Sequence, residues 1–357
     1  MSASLPACTA RPATFADLDA VSELLHRVFD VRQTVDSLRW KLTGCAGRLI
    51  GSTVLATDRR IVGFLGQIPV RIRVRGREVL GAQGTDAGIL EEYRRLDVFL
   101  GLIQASVLEM KAAGVELTYG TANADFGPLA TQLFGRKRLA PVPLLVRPLS
   151  PGDVSLGWGA RLLARALSAS DRLNAQAPAA LGNRFRITRI TRFDERFDRF
   201  WGEVQDDYPV MLVRDAAHLN WRYVDTPNVA YERIGLVDVA SGHIAGYAVL
   251  GLRRRSGRLR GHIADLVTAR NGDPRIVNLL VRAAVAWLRT QAADVAEIWA
   301  LPHTHLRRAL VCRGFIPRRT GPGGFQVSAL ASAADASPLR ADEAGSWFLS
   351  LGDSDTV

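Results

Sequence analysis

Two copies of a short tryptophan motif limit the folds open to this chain, because they lie about 180 residues apart and head an ordered series of matches. Leu38-Arg39-Trp40-Lys41 returns as Leu219-Asn220-Trp221-Arg222. Further counterparts follow in the same order: Ile61-Val62-Gly63-Phe64 with Ile244-Ala245-Gly246-Tyr247, Asp86 with Asp265, Tyr119 with Trp299, and Phe134-Gly135 with Gly314-Phe315 in inverted order. Such a series indicates a duplicated domain. We expect Trp40 and Trp221 to anchor the cores of the two copies.

The length of 357 residues suits two domains of roughly 150 residues better than a single core. We predict a first domain over residues 1–150, a helical linker over residues 151–183 and a second domain over residues 184–357. The linker prediction rests on a helical spacing of apolar residues, namely Trp158, Leu162, Leu163 and Leu167.

The composition is typical of a soluble globular protein, with 48% hydrophobic and 23% charged residues. No apolar run approaches the roughly 18 residues of a membrane helix, so we predict no membrane insertion. The N-terminus lacks the basic start and apolar centre of a signal peptide. Three well-separated cysteines, Cys8, Cys45 and Cys312, do not form a disulfide framework. These features predict a cytoplasmic location.

A net charge of +11 comes almost entirely from arginine, since the chain has only three lysines. Nucleic acid is not the favoured partner, because the sequence has neither zinc-ligand spacing nor a basic helix with a zipper. The densest basic cluster flanks Gly257 between two apolar stretches, and we interpret it as a solvated hairpin: Arg253, Arg254, Arg255, Arg258 and Arg260. Arginine suits planar contacts with phosphate, so phosphorylated small molecules are the expected partners.

Periodicity in the first half predicts an ordered series of elements. Thr14 and Asp17 form a capping box before a helix with one apolar face, and a short helix surrounds Trp40. Strands are expected over residues 49–57, 61–68, 79–89, 115–119 and 139–146, with Val70, Ile72 and Val74 continuing the alternation towards a turn at Gly76. Helices are expected from Leu96 to Gly114 and over residues 126–134.

This order of elements, together with the segments TDAGILEEYRRLDVF (residues 85–99) and YGTANADFGPLATQLFG (residues 119–135), resembles the GNAT N-acyltransferases. Within that family it is similar to bacterial proteins in which two such domains lie in tandem. The resemblance implies a mixed α/β fold with two GNAT domains joined by the helical linker. It also implies transfer of an acyl group from acyl-CoA to a primary amine, for example an amino sugar on a nucleotide carrier.

The resemblance places the acyl-CoA site in the first domain, where a turn leads into a helix whose N–H groups face the pyrophosphate. The implied cofactor-binding residues are Ile89, Arg94, Arg95, Val98 and Asn123, and no metal is implied. The chain departs from the family pattern where small residues are usual, with Asp97 at the first such position and Phe99 at the second. In the second copy, Asp273 and Pro274 start a helix well but leave an acidic cap, so the first domain is the favoured acyl-CoA site.

The resemblance also supplies candidates for the chemistry. Asp86 lies at the end of the fourth strand, where it could accept the proton of the amine or orient the amine. Its other possible role is to cap the following turn, and the sequence favours neither role. His303 is a second catalytic candidate, although a surface or capping role is more common for such a residue. We expect His305, Asp353 and Asp355 to border the substrate cleft. The tyrosine acid common in the family is missing, because the matching stretch holds Leu129, Ala130 and Thr131.

Two other functions remain open from the sequence. A peptidoglycan-type transferase, also a GNAT duplication, takes its acyl group from charged tRNA, which would account for the basic charge. The chain shows no coiled-coil arm of the kind that family often carries. A non-catalytic scaffold that has retained the fold is the third alternative. The sequence leaves the oligomeric state undetermined.

Overall fold

A computed structural model describes most of the chain. The described residues are 7–58, 60–121, 137–140, 142, 144–150, 162, 165–167, 169, 184–255, 257–271, 274–318, 325–330 and 343–355. The chain divides into two compact units. Unit 1 consists of Met1–Ala140, Thr226–Asn228 and Gly324–Ser346, and unit 2 consists of Pro141–Asp225, Val229–Gly323 and Trp347–Val357.

Unit 1 is a mixed sheet with three described helices. Its strands are β1 (Thr9–Pro12), β2 (Thr53–Ala56), β3 (Ile61–Val74), β4 (Arg77–Ile89), β5 (Leu117–Thr121), β6 (Lys137–Ala140) and a late strand, β15 (Phe325–Ala329). Its helices are α1 (Leu18–Phe29), α2 (Val35–Thr43) and α3 (Leu96–Ala112). The strand order is β1-β2-β3-β4-β5-β15-β6, in which β4 and β5 are parallel and the other pairs are antiparallel.

The predicted helix signals of unit 1 are confirmed where the structure describes them. The Thr14–Asp17 capping box is present, and α1 buries Leu18, Val21, Leu24 and Leu25. Helix α3 ends beside Gly114, whose φ of +80° is the left-handed conformation that glycine adopts without a steric cost. The helix predicted over residues 126–134 lies outside the described residues.

Unit 2 is built in the same way. Its strands are β7 (Leu144–Pro148), β8 (Phe185–Arg189), β9 (Val210–Leu212), β10 (Glu232–Asp238), β11 (Ile244–Arg255), β12 (Arg258–Thr268), β13 (Val295–Trp299) and β14 (Ile316–Arg318). Its helices are α4 (Glu195–Val204), α5 (Ala216–Tyr223), α6 (Pro274–Thr290) and α7 (His305–Cys312). The sheet order is β14-β7-β13-β12-β11-β10-β8, with β12 and β13 parallel.

The two sheets exchange strands, which corrects the predicted domain boundaries. Strand β15, from the C-terminal part of the chain, pairs with β5 and β6 in unit 1. Strand β7, from the N-terminal part, pairs with β13 and β14 in unit 2. The boundary predicted at residue 150 is therefore wrong, and so is the single strand predicted over residues 139–146, because β6 and β7 belong to different sheets. Pattern along the chain does not reveal which sheet a strand joins.

The repeated motif contributes a leucine to each core, in place of the expected tryptophan. Leu38 and Leu219 are fully buried, whereas Trp40 and Trp221 are only partly buried. Most of the predicted linker lies outside the described residues; its described residues are helical. None of the helices in the described part of the chain combines the length and the apolar character that a membrane crossing requires.

Candidate acyl-CoA site

At the centre of unit 1 the parallel strands β4 and β5 separate after a short paired stretch. We call this point of separation the fork. The parallel ladder pairs Gly81, Ala82 and Gln83 with Leu117, Thr118 and Tyr119, and β4 then continues to Ile89 beside β3. The β3–β4 register shifts between Phe64 and Gly66, so Asp86 and Ala87 form a β-bulge. Bulges re-aim side chains and end pairing, and they are frequent beside active sites.

Asp86 is the residue that the bulge re-aims. Its φ of +47° lies in the left-handed region, which aspartate tolerates better than most residues. Its carboxylate forms an ion pair with Lys41 and accepts a hydrogen bond of 3.2 Å from the Gln33 amide. Lys41 in turn donates to the Gln33 side-chain oxygen at 2.7 Å. The side chains of Asp86 and Lys41 are only 15% and 12% exposed, so the pair is held away from bulk water.

A cavity of about 320 Å³ lies where the end of β4 meets the start of α3. It is mostly apolar, and its lining residues are Phe64, Ala87, Gly88, Ile89, Arg94, Arg95, Leu96, Phe99 and Leu102. Three of the predicted cofactor residues, Ile89, Arg94 and Arg95, therefore meet at one cavity. Arg94 is positioned by donating from Nε to the Ile89 carbonyl at 2.9 Å.

Two further cofactor candidates are placed differently. Val98 lies in the first turn of α3 and packs against the apolar core of unit 1. Asn123 lies outside the described residues. Asp97, which interrupts the family's small-residue pattern, directs its carboxylate to the Arg95 guanidinium at 3.1 and 2.8 Å. Because both side chains are about two-thirds exposed, this is a surface pair in which Arg95 offsets the charge of Asp97.

In unit 2 the corresponding parallel strands are β12 and β13, and the segment Leu351–Asp353 packs against β12. The β11–β12 register shifts at Ala264, so the bulge lies next to Asp265, which itself pairs with Val249. Asp265 accepts from the Arg214 Nε at 3.1 Å and from the Tyr247 hydroxyl at 2.9 Å, and Arg214 Nη2 donates to both carboxylate oxygens of Asp353 at 2.8 and 2.7 Å. Burial opposes the charge of Arg214, but the two carboxylates outweigh it and raise the Arg214 pKa.

Asp353 is thus a core residue, which corrects its predicted place at the substrate cleft. Its side chain is 3% exposed, and burial raises its pKa although Arg214 opposes the shift. It closes a capping box with Ser350 in a short 3-10 helix, Leu351–Asp353. A Cβ on Gly352 would lie 1.9 Å from the Tyr223 hydroxyl and 3.2 Å from the Ala264 carbonyl, so this segment packs directly against β12.

The other site candidates in unit 2 are His303, His305 and Asp355, and their surroundings differ from those of Asp353. His305 is engaged through both ring nitrogens, with the Tyr208 hydroxyl at 2.9 Å and the Thr268 hydroxyl at 2.8 Å. Burial, with a contribution from Arg270, lowers the His305 pKa to about 4, so its ring is neutral at pH 7. His303 is exposed and donates from Nε2 to the Trp347 carbonyl at 2.8 Å. Asp355 is exposed.

Sequence reasoning missed Lys41 and Gln33 as partners of Asp86, and Arg214 as a partner of Asp265. The repeated basic residue after each tryptophan was a usable signal, because Lys41 holds the bulge aspartate of unit 1. Its counterpart Arg222 donates instead to the carbonyls of Gly352 and Ser354, at 3.0 and 2.9 Å. No sequence pattern marks Arg214.

Comparison with known protein families gives a match for most of the N-terminal part of unit 1. Residues 9–128 match the acetyltransferase (GNAT) domain. This GNAT match covers the fork, Asp86 and the α3 cavity, and it supports the predicted enzyme class, an acyl-CoA-dependent N-acyltransferase. No curated protein matches the chain.

Solved structures extend the likeness to most of the chain. A probable N-acyltransferase from Enterococcus faecalis V583 has a TM-score of 0.62 at 11% identity, over 91% of this chain and 73% of the other. A GCN5-related N-acetyltransferase from Anabaena variabilis gives 0.62 at 14%, with the same shares. Saccharomyces cerevisiae N-myristoyltransferase with bound myristoyl-CoA gives 0.59 at 14%, over 92% and 84%. At these identities the likeness shows the fold, which is the mixed α/β GNAT fold that the sequence predicts.

Proposed function

We propose that this protein transfers an acyl group from acyl-CoA to a primary amine and that unit 1 binds the cofactor. The observation that carries the proposal is the combination of a bulged fork at Asp86 with a cavity at the start of α3. The fork exposes the backbone of β4, and the start of a helix attracts phosphate through its unpaired N–H groups.

The lining of the cavity suits the parts of acyl-CoA. Ala87, Gly88 and Ile89 offer a narrow apolar wall for the pantetheine arm, and Arg94 and Arg95 lie beside the helix N-terminus where the pyrophosphate would bind. The cofactor supplies the activated thioester. Unit 2 is the weaker cofactor candidate, because Gly352 and Asp353 occupy its fork.

The chain's own residues then handle the amine and its proton. In a ternary complex the amine nitrogen attacks the thioester carbonyl, the C–N bond forms, the C–S bond breaks, and the sulfur leaves as a thiolate that takes up a proton. Asp86 is the residue we assign to the amine, as acceptor of its proton or as an orienting partner. Lys41 and Gln33 position the carboxylate.

For the acceptor we propose an amino sugar on a nucleotide carrier. The arginine-rich composition supports it, since such an acceptor and acyl-CoA each carry a pyrophosphate. The acyl chain of the donor acyl-CoA can be short or long. Because the fold is similar to that of an N-myristoyltransferase, long-chain acyl-CoA is included in the test. Asn123, His303 and Asp355 remain predicted contributors to the site.

The test combines binding with turnover. Calorimetric titration with coenzyme A measures cofactor binding, and thiol release with acetyl-CoA or myristoyl-CoA is assayed against a panel of nucleotide amino sugars. We expect Phe99→Glu, which places a charge in the cavity, to abolish coenzyme A binding. Leu108→Glu is the matched control, because Leu108 lies on the same helix and is 69% exposed. Absence of coenzyme A binding to the unsubstituted protein would overturn the proposal.

A further inference from the structure

A second cavity lies on the sheet of unit 2 and is lined by arginines. It has a volume of about 460 Å³, within the range of small-molecule sites. Its lining residues are Leu144, Arg253, Arg255, Arg258, Arg260, Glu297, Trp299 and Leu351. The predicted hairpin is therefore present, with a turn at Gly257, but four of its five arginines line a cavity instead of forming only a solvated surface.

The strand register explains why these four arginines face the same way. Arg253 pairs with Arg260 and Arg255 pairs with Arg258, and directly paired residues share one face of a sheet. Arg254 pairs with Leu259 and lies on the opposite face.

Arginines outnumber carboxylates among the described lining residues of this cavity. Like charges directly opposite each other destabilise a strand pair, and here two such pairs are adjacent. Among the described lining residues Glu297 is the one carboxylate, and it forms an ion pair with Arg260. Four guanidinium groups on one face of the sheet, at the wall of a cavity, suit an anionic ligand.

We propose that this cavity binds the diphosphate group of a nucleotide. Paired residues are about 5 Å apart and alternate residues of one strand about 7 Å apart, so the four guanidinium groups are anchored on a small rectangle. Two linked phosphoryl groups fit that spacing, and arginine binds each in a bidentate manner. Trp299 supplies an aromatic surface for the base. The inference does not depend on acyl transfer, because the acyl-CoA cavity belongs to unit 1.

The experiment titrates the full chain with inorganic pyrophosphate, UDP and ADP in a calorimeter. We expect saturable binding of all three, weakened about tenfold or more by Arg253→Gln and by Arg258→Gln. Arg258→Lys retains the charge without the planar fork and should give an intermediate loss. Arg254→Gln makes the same charge change on the opposite face and should leave binding unchanged. Trp299→Leu should weaken UDP and ADP while sparing pyrophosphate.

Melting temperatures near that of the unsubstituted protein would confirm that each variant is folded. No saturable binding, or an equal loss with Arg254→Gln, would overturn the proposal in favour of diffuse surface charge. Loss of pyrophosphate binding in Phe99→Glu, which changes the cavity of unit 1, would show that the binding belongs to that cavity instead. Tighter binding of a single-stranded RNA with the same dependence on Arg253 and Arg258 would reassign the surface to nucleic acid.

Discussion

Asp86 combines an unusual backbone conformation with a shielded ion pair. The left-handed φ and the bulge aim its carboxylate at Lys41 and Gln33. The ion pair links α2 to β4, and it also holds at the fork the carboxylate that we propose to serve the amine.

Replacement of Asp86 by asparagine separates these roles. If the carboxylate serves the amine, turnover should fall by about 100-fold or more while coenzyme A affinity stays nearly the same. The loss of the partner of Lys41 should also lower the free energy of unfolding by about 1–3 kcal/mol. Thiol release, calorimetry and thermal unfolding measure the three quantities. Glu78→Gln, at an exposed ion pair with Arg71, is the control. Unchanged turnover of a destabilised Asp86 variant would leave only the structural role.

A substitution at Asp97 tests whether the pyrophosphate binds at the turn that leads into α3. Asp97→Asn keeps the size of the side chain, removes a negative charge from the start of α3 and releases Arg95. Coenzyme A binding should tighten by about 1 kcal/mol, or roughly fivefold, if the pyrophosphate binds there. Glu92→Gln removes a charge from a nearby exposed pair with Arg60 and should have a smaller effect. Weaker or equal affinity of the Asp97 variant would place the phosphates elsewhere.

At the scale of elements, the two forks differ in what lies at their ends. In unit 1 the fork has a cavity at its end, whereas in unit 2 the segment Leu351–Asp353 packs against β12 and Arg214 bridges two buried carboxylates. The parallel strand pair thus borders a mostly apolar cavity in unit 1 and a buried polar network in unit 2.

Arg214→Leu should show that the second fork is structural. Removing the arginine leaves Asp265 and Asp353 buried without their cation, a loss of about 3–5 kcal/mol for a broken buried pair. Denaturant unfolding measures the loss. Arg192→Leu, which breaks the exposed pair with Asp225, should change stability little. A tolerated Arg214→Leu together with retained coenzyme A binding would mean that the network is dispensable.

At the scale of the whole molecule, each of the two sheets contains a strand that is distant in sequence from its neighbours, β15 in unit 1 and β7 in unit 2. Strand β15 covers the edge of β5 with Phe325 and Val327, both 3% exposed. The sheet formed by the first 140 residues therefore includes a strand from residues 325–329.

Val327→Asp should destabilise unit 1 although the substitution lies far along the chain. A charge at this buried position should cost about 3 kcal/mol or more, and the coenzyme A affinity measured at the fork should fall with it. Ile316→Asp is the matched control on a strand of unit 2, because Ile316 is 44% exposed. Intact coenzyme A binding in a folded Val327 variant would show that β15 does not support the site.

Resemblance to the GNAT family, and not local pattern, singled out Ile89, Arg94 and Arg95. The sequence by itself determined the order of the helices and strands from α1 to β5. These features depend on periodicity, capping and turn residues within a few positions of each other, which a linear pattern records. Only the tertiary structure decided that β7 and β15 are exchanged, that Lys41 holds Asp86, and that Asp353 is buried on Arg214. Those outcomes depend on partners tens to hundreds of residues away, and the burial that selects among polar partners exists only once the sheets have assembled.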